Sequence, residues 1–264
     1  DPDGVTRQYA HLATGNYNPS TARLYTDIGL LTSRPDFGED ATNFFNLLTG
    51  ICQYQPMRKL LVAPFELHSR MLKSIERETE NAKRDLPARI IAKVNSLAEP
   101  KIIEALYKAS QAGVKIDLIV RGVCCLKPGV KGLSENITVR SIIDRFLEHS
   151  RIYYFENACQ PQVFVGSADW LPRNLFRRIE VVFPIEDGVL RERIVNEILT
   201  MTLADNTRAR TLLSDGSYQP VEKKGKAHRS QFEFIALATG QTNETGTHSV
   251  KGKFPTVKVA ERPY

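Results

Sequence analysis

No stretch of the 264-residue chain approaches the roughly 18 to 20 uninterrupted apolar residues that cross a bilayer, and the opening Asp1-Pro2-Asp3-Gly4 lacks the charged-then-apolar pattern of a secretory signal. The chain is therefore read as soluble and cytoplasmic, with no transmembrane segment. Cysteine is scarce: Cys52, Cys124, Cys125 and Cys159 make neither a Cys-x-x-Cys pair nor the density of a disulfide scaffold. Adjacent cysteines inside an apolar run are expected to be small buried residues, and a reducing compartment fits them. Also absent are a Gly-x-x-x-x-Gly-Lys-Ser/Thr loop, a Gly-x-Gly-x-x-Gly at a strand end and zinc-ligand spacing, which excludes ATP use through a P-loop and a structural zinc. The chain has no initiating methionine and starts in mid-pattern, with Gln8 to Leu12 reading as the end of an extended segment. A piece of a longer protein is expected.

What is present is an ordinary globular balance of 42% hydrophobic and 25% charged residues, enough to bury a core. The 36 basic and 30 acidic residues leave a net charge of +6. That is a mixed surface rather than a basic arm, and its excess favours polyanions without naming one.

Leu67, Met71, Leu72 and Ile75 share one face of residues 67 to 84 with charged residues elsewhere, which predicts an amphipathic helix. The β-branched run 89 to 95 predicts a strand. Ser96-Leu97-Ala98-Glu99 has capping-box spacing ahead of a helical run through Ile102, Ile103, Leu106 and Ala109 that Gly113 ends. Alternation from Val114 to Val120 predicts a second strand, so strand, helix and strand form a right-handed βαβ unit, with Arg121 at the carboxyl end where open α/β sheets bind ligands. Residues 151 to 155, 162 to 165 and 179 to 183 read as further strands, and 187 to 204 as a helix. From Gly240 onward the chain is rich in Thr, Gly and Lys, and is expected to be a flexible tail.

An internal repeat stands out. Thr14-Gly15-Asn16-Tyr17 and Ser167-Ala168-Asp169-Trp170 each pair two small residues with Asn or Asp and an aromatic, and an acidic residue follows thirteen positions on, Asp27 in one copy and Glu180 in the other. Each acidic residue is expected within an apolar strand. Duplication into two facing α/β halves accounts for this. Two histidines stand in the frame, His11 before Thr14 and His149 ahead of the second copy. Imidazole is a competent nucleophile toward phosphorus and titrates near neutral pH, so one histidine is suited to attack and the other to exchange a proton. Asn16, Asn18, Arg23, Arg121, Arg151, Arg173, Asn174, Arg177 and Arg178 are the side chains nearby in sequence that suit phosphate oxygens. Asp27 and Glu180 suit the orientation of a histidine or arginine, or a metal.

The string His11 to Asn18, then Thr21 to Asp27, Phe146-Leu147-Glu148-His149, Gly166 to Asn174 and Arg178-Ile179-Glu180-Val181 resembles polyphosphate kinases of the first type from about residue 5 to about residue 235. The resemblance implies an α/β fold: a phospholipase-D-like mixed sheet flanked by helices, its second half complete and its first half truncated. Residues 1–60 would be the end of a first catalytic domain, 61–239 a second, and 240–264 the tail. It implies reversible transfer of the ATP γ-phosphate to polyphosphate through a phosphohistidine at His11, with His149 as partner. Nucleotide and phosphate contacts would fall on Arg121, Arg151, Arg178, Glu180, Asn16 and an aromatic at Phe44 or Phe45, with Lys93 and Asn95 as further phosphate contacts. Mg²⁺ is the implied cofactor, its ligands lying before Asp1, and no metal ligand is assigned here. ATP or ADP and polyphosphate are the implied partners, without nucleic acid, in a homo-oligomeric full-length enzyme; the 264 residues alone are expected to be inactive. Two other readings stay open: a phospholipase-D-like phosphodiesterase, against which His149-Ser150-Arg151 replaces the usual lysine by arginine, and a noncatalytic polyanion-binding module.

Overall fold

The computed structural model describes residues 4, 6–223 and 225–240. The chain begins with β1 (Ala10–Ala13), α1 (Pro19–Ala22), β2 (Tyr25–Thr26), β3 (Gly29–Thr32) and α2 (Pro35–Leu48). It continues through β4 (Leu61–Ala63), α3 (Leu67–Lys83), β5 (Arg89–Val94), α4 (Pro100–Gln111) and β6 (Lys115–Val120). Next come β7 (Ile137–Ile142), β8 (Leu147–Glu148), β9 (Arg151–Phe155), β10 (Gln162–Gly166), α5 (Pro172–Phe176) and β11 (Glu180–Pro184). A helix of three parts follows, α6 (Gly188–Arg193), a π-helical stretch (Ile194–Leu199) and α7 (Thr200–Ala204), and then β12 (Ala209–Leu212), β13 (Tyr218–Pro220) and α8 (Ser230–Thr239).

Nine strands form one sheet in the order β13-β12-β7-β6-β5-β9-β10-β11-β4. Strands β5, β6 and β7 run parallel, as the predicted βαβ unit requires, and the remaining pairs are antiparallel. A fold of this mixed kind puts helices on both faces, so its central strands are buried on both sides. Thus Asp117 and Ile119 of β6 are buried along with the alternating Ile116, Leu118 and Val120. One face packs on Met71 and Ile75 of α3 and Ile102 and Leu106 of α4. The other face packs on Phe37 of α2, Ile194 and Leu199, with Leu12, Ile28 and Leu30 of the N-terminal segment against it. Of two small sheets, β1 with β3 antiparallel lies within that segment, and β2 with β8 parallel attaches it to the rest.

Four sequence expectations are corrected. The helix after β5 is capped by Glu99, whose carboxylate accepts from the Ile102 amide at 2.7 Å, and Ser96 plays no capping part. Pro100 fixes the first helical φ and pushes its predecessor to extended geometry, while Leu97 is held in bridges to Cys124 and Trp170. The 187 to 204 helix is broken by a π turn that places Ile194 and Leu199, five residues apart, together in the core. Leu190, which straight helical spacing puts on the same face, is exposed. The cysteines are not buried small residues: Cys125, Cys52 and Cys159 are exposed and Cys124 is partly covered. Residues 123 to 126 alternate after the turn at Gly122, with Leu126 rather than a cysteine pointing inward. Asp27 falls in the link between β2 and β3 rather than inside a strand. The expected tail from 240 lies, after Gly240, outside the described residues.

Candidate functional site

The sequence repeat is a repeat of geometry. Thr14 donates from its hydroxyl to Asp27 Oδ1 at 2.7 Å and accepts from the Ile28 amide at 3.0 Å. Ser167 does the same with Glu180 Oε2 at 2.5 Å and the Val181 amide at 3.2 Å. The shift that carries Thr14 onto Ser167 also carries the pairing of Ala13 with Gly29 onto that of Gly166 with Val182, and Leu12 with Leu30 onto Val165 with Phe183. Each copy is one antiparallel hairpin whose first strand ends in a hydroxyl held by the acid that opens the second. Under this shift His11 corresponds to Phe164, so His11 and His149 are not repeat equivalents.

His149 sits between the two copies. Its Nδ1 lies 2.9 Å from Asp27 Oδ1, and its Nε2 lies 3.1 Å from Arg151 NH1. Arg151 has no acceptor atom, so Nε2 must be the accepting nitrogen and Nδ1 the protonated one that donates to Asp27. Burial works to raise the Asp27 carboxyl, but hydrogen bonds from His149 and Thr14 and the charges of His149 and Arg151 outweigh it, leaving the pKa below the ordinary carboxylate value. Arg151 is buried and engaged on every side: Nε and NH2 each bond Asp169 at 3.2 Å, and NH1 also bonds the carbonyls of His149 at 2.8 Å and Thr14 at 3.3 Å. It therefore ties the first copy to the second through main-chain oxygen.

A second layer fixes the backbone before His149. Lys93 Nζ bonds Glu148 Oε2 at 2.9 Å and Ser150 Oγ at 2.8 Å, and Gln231 of α8 donates to Glu148 Oε1 at 2.6 Å. Arg121, at the end of β6, donates from Nε to the Glu148 carbonyl at 2.8 Å. The Asn95 amide, in the orientation that satisfies both its atoms, donates to that carbonyl at 2.7 Å and accepts from Arg151 Nε at 3.1 Å. Lys93 and Asn95 are only 2% and 5% exposed, so these two expected phosphate contacts are turned inward as supports. Asn18 is likewise committed, its side chain capping α1 through the amides of Ser20 and Thr21.

His11 is exposed on β1, one strand end from this centre. Its ring meets Tyr17 edge-on at 5.4 Å, and its Nε2 lies over Gly29, where an added Cβ would stand 2.8 Å away. Asn16 and Arg23 are exposed. Glu180 is buried at the mouth of the second copy, bonded to Ser167 and to Asn174 Nδ2. Arg173 of α5 and Arg177 and Arg178 on the turn after it are exposed, their side chains with no hydrogen-bond or ion-pair partner among the described residues. Phe44 is partly buried and packs against the second core, its ring 5.9 Å from that of Phe45, which is 64% exposed. The sequence reading missed Gln231, Thr26 and Tyr25. Thr26 accepts from the His149 amide at 3.3 Å, and the Tyr25 ring lies 4.8 Å from the His149 ring. Tyr25 and Thr26 lie within two residues of Asp27 in the sequence, but nothing in sequence links Gln231 to residue 148. The acids of the site are occupied by protein donors, and among the described residues no three His, Cys, Asp or Glu converge as a metal site.

Fold and site together define a mixed α/β protein in which two copies of one hairpin converge on a histidine, carboxylate and arginine centre suited to phosphate chemistry. Residues 2–55 match the family described as Polyphosphate kinase C-terminal domain 1, and residues 60–231 match Polyphosphate kinase C-terminal domain 2. The chain belongs to the polyphosphate kinase family. A polyphosphate kinase of Synechocystis sp. is 51% identical over 241 residues, covering 90% of this chain and 33% of that protein. One of Burkholderia cenocepacia is 54% identical over 224 residues, covering 85% and 32%. The crystal structure of polyphosphate kinase from Porphyromonas gingivalis superposes with a TM-score of 0.85 at 39% identity, over 89% of this chain and 36% of that one. The chain thus spans about a third of the length of the curated relatives it matches. No helix among the described residues is long and apolar enough to cross a membrane.

Proposed function

We propose that the chain carries the phosphoryl-transfer centre of an ATP:polyphosphate phosphotransferase. His11 attacks the γ-phosphorus of ATP, an N–P bond forms as the bond to the β,γ-bridging oxygen breaks, and ADP leaves. A terminal oxygen of polyphosphate then attacks the phosphohistidine and releases His11, extending the chain by one unit. The observation that carries this reading is the Asp27–His149–Arg151 relay beside the strand of His11, in a chain of this family. Asp27 holds the His149 proton at Nδ1, which leaves Nε2 as the ring nitrogen that accepts.

Arg121 and Arg178 supply guanidinium groups for charge that builds on the transferring phosphoryl group. Glu180, held by Ser167 and Asn174, has its carboxylate committed, which supports a role in shaping the second copy's mouth. Mg²⁺ would enter with the nucleotide. The phosphodiesterase alternative draws nothing from Arg151, whose guanidinium is saturated by Asp169 and carbonyl oxygens. Incubating an intact enzyme that carries this chain with γ-labelled ATP should give acid-labile, base-stable label that His11→Ala abolishes. Full labelling of His11→Ala sinks the assignment. Retention of intact-enzyme rates by the 264 residues alone would contradict the expected dependence on further segments, and sedimentation of the intact enzyme tests the homo-oligomer.

A further inference from the structure

A cleft of about 580 Å³ lies at the strand ends opposite the histidine centre, lined by Arg58, Lys59, Arg70, Cys159, Glu186 and Arg191 among others. Strands β9 and β10 set its distance: Gly166 pairs with Arg151 at the centre, and Gln162, which lines the cleft, pairs with Phe155 at the other end. Four residue steps at about 3.3 Å separate the two ends by roughly 13 Å along the strands. We propose that the cleft is a binding site for a compact phosphate oxyanion, which bridges α3 and α6 behind the second hairpin. The proposal is independent of the phosphoryl-transfer reading, in which none of these side chains takes part.

Three observations carry it. The first is charge. Among the described residues that line the cleft, four are cationic and Glu186 is the one acid. Glu186 is already held by Lys59 at 2.6 Å and by Arg34 at 2.8 Å, and Arg58 is paired with Glu39 at 3.0 Å. The side chains of Arg70 and Arg191 have no hydrogen-bond or ion-pair partner among the described residues, so two guanidinium charges are left unanswered. The second is disposition. Arg70 comes from α3 on one face of the sheet, and Arg191 from α6, which runs into the π-helical stretch packed on the other. A planar carboxylate meets one guanidinium fork, whereas a tetrahedral phosphate presents oxygens in several directions and can meet two forks from opposite sides. The third is the wall. Asn157, Ala158 and Cys159 stand at φ of 49°, 51° and 65°, three successive left-handed residues without a glycine. Such a turn is unfavourable by itself and persists where its surroundings hold it, a state that gathers at ligand-binding sites. Glu78, 0% exposed, holds it by accepting the Asn157 amide on both carboxylate oxygens at 3.0 and 3.1 Å. Asn157 and Cys159 thereby enter the lining, and the thiol stands where an occupant would cover it.

Cys159 gives the readout. In an intact enzyme that carries this chain, alkylation by iodoacetamide is followed by peptide mass spectrometry, with exposed Cys52 and Cys125 as references. Orthophosphate or pyrophosphate, at roughly ten times its dissociation constant, should slow alkylation of Cys159 about tenfold by mass action and leave Cys52 and Cys125 unchanged. Arg70→Gln and Arg191→Gln should each raise the concentration that gives half-protection about tenfold, the loss of one charge-assisted contact. Arg70 is exposed and Arg191 half-buried, so both variants should keep the circular dichroism of the original. Protection of the same size by malonate overturns the proposal in favour of a carboxylate site. Protection by potassium chloride at matched ionic strength overturns it as screening alone. No protection by either phosphate, or protection that both variants retain in full, overturns it as well. His11 labelling in the same preparations reports separately on the transfer centre.

Discussion

Asp27 and His149, 122 residues apart, meet at 2.9 Å and join the N-terminal hairpin to the loop between β8 and β9. The contact is possible because Gly15 lies beneath Asp27, where a Cβ would collide with the carboxylate. Thr14 holds the same carboxyl oxygen from the other side. The small-small pair Thr14-Gly15 is thus a seat for an acid, and the acid sets which nitrogen of His149 bears the proton.

Asp27→Asn should therefore keep the fold and lower kcat in an intact enzyme by roughly 10² to 10⁴, the range of a misplaced general acid or base, with KM for ATP changing little. The pH dependence has a definite sign. The folded-state pKa of Asp27 lies below its unfolded value, so its contribution to stability is fully present above the unfolded carboxylate value of about 3.9 and is lost as pH falls through the depressed folded value. Denaturant unfolding should find the wild type more stable than Asp27→Asn at pH 7 and the two converging well below pH 4. An unchanged gap at low pH would remove Asp27 from this role.

Gly29→Ala probes His11 without touching it. The new methyl would stand 2.8 Å from His11 Nε2, so the ring must turn off its seat while the β1–β3 register persists. Label incorporation from γ-labelled ATP should fall at least tenfold with circular dichroism unchanged. Normal labelling would mean that the seat over Gly29 does not set the reactive geometry.

Lys93 and Glu148 form a pair with side chains only 3% and 4% exposed. Lys93→Met leaves Glu148 buried with its charge uncompensated, which costs roughly 3 to 5 kcal/mol. The double change Lys93→Met with Glu148→Gln should recover a large part of that loss, since Gln231 and Thr26 still reach residue 148. Urea unfolding midpoints decide this. A Lys93→Met protein of wild-type stability with a raised polyphosphate KM would restore Lys93 to the phosphate-binding set.

These cases mark what a single sequence makes legible. The βαβ unit and the repeat were readable because periodicity and motif spacing are local, and the hydroxyl-to-acid offset in each copy is one hairpin's length. Lys93 and Asn95 were misjudged because their type suits phosphate, whereas their direction depends on Glu148 and Arg151 arriving from another strand. Gln231 was invisible for the same reason: its partner is 83 residues away. Ser96 and the cysteine pair misled where a proline and a turn overrode a pattern that holds elsewhere.

The arginines separate by the same test of what they already hold. Arg151 is saturated by Asp169 and by the carbonyls of Thr14 and His149, so Arg151→Gln should unfold the protein earlier and lose His149 orientation together, because Asp169 would be left buried without its charge partner. Arg178 is exposed and has no such partner among the described residues, so Arg178→Gln should leave stability within about 0.5 kcal/mol of the original. If its guanidinium meets the nucleotide phosphates, the loss of that contact should raise KM for ATP by roughly ten- to a hundredfold. Measuring thermal unfolding and ATP kinetics on both variants resolves the two roles. A stability loss in Arg178→Gln with unchanged KM would assign that arginine to the fold and leave Arg121 as the guanidinium at the transferring phosphate.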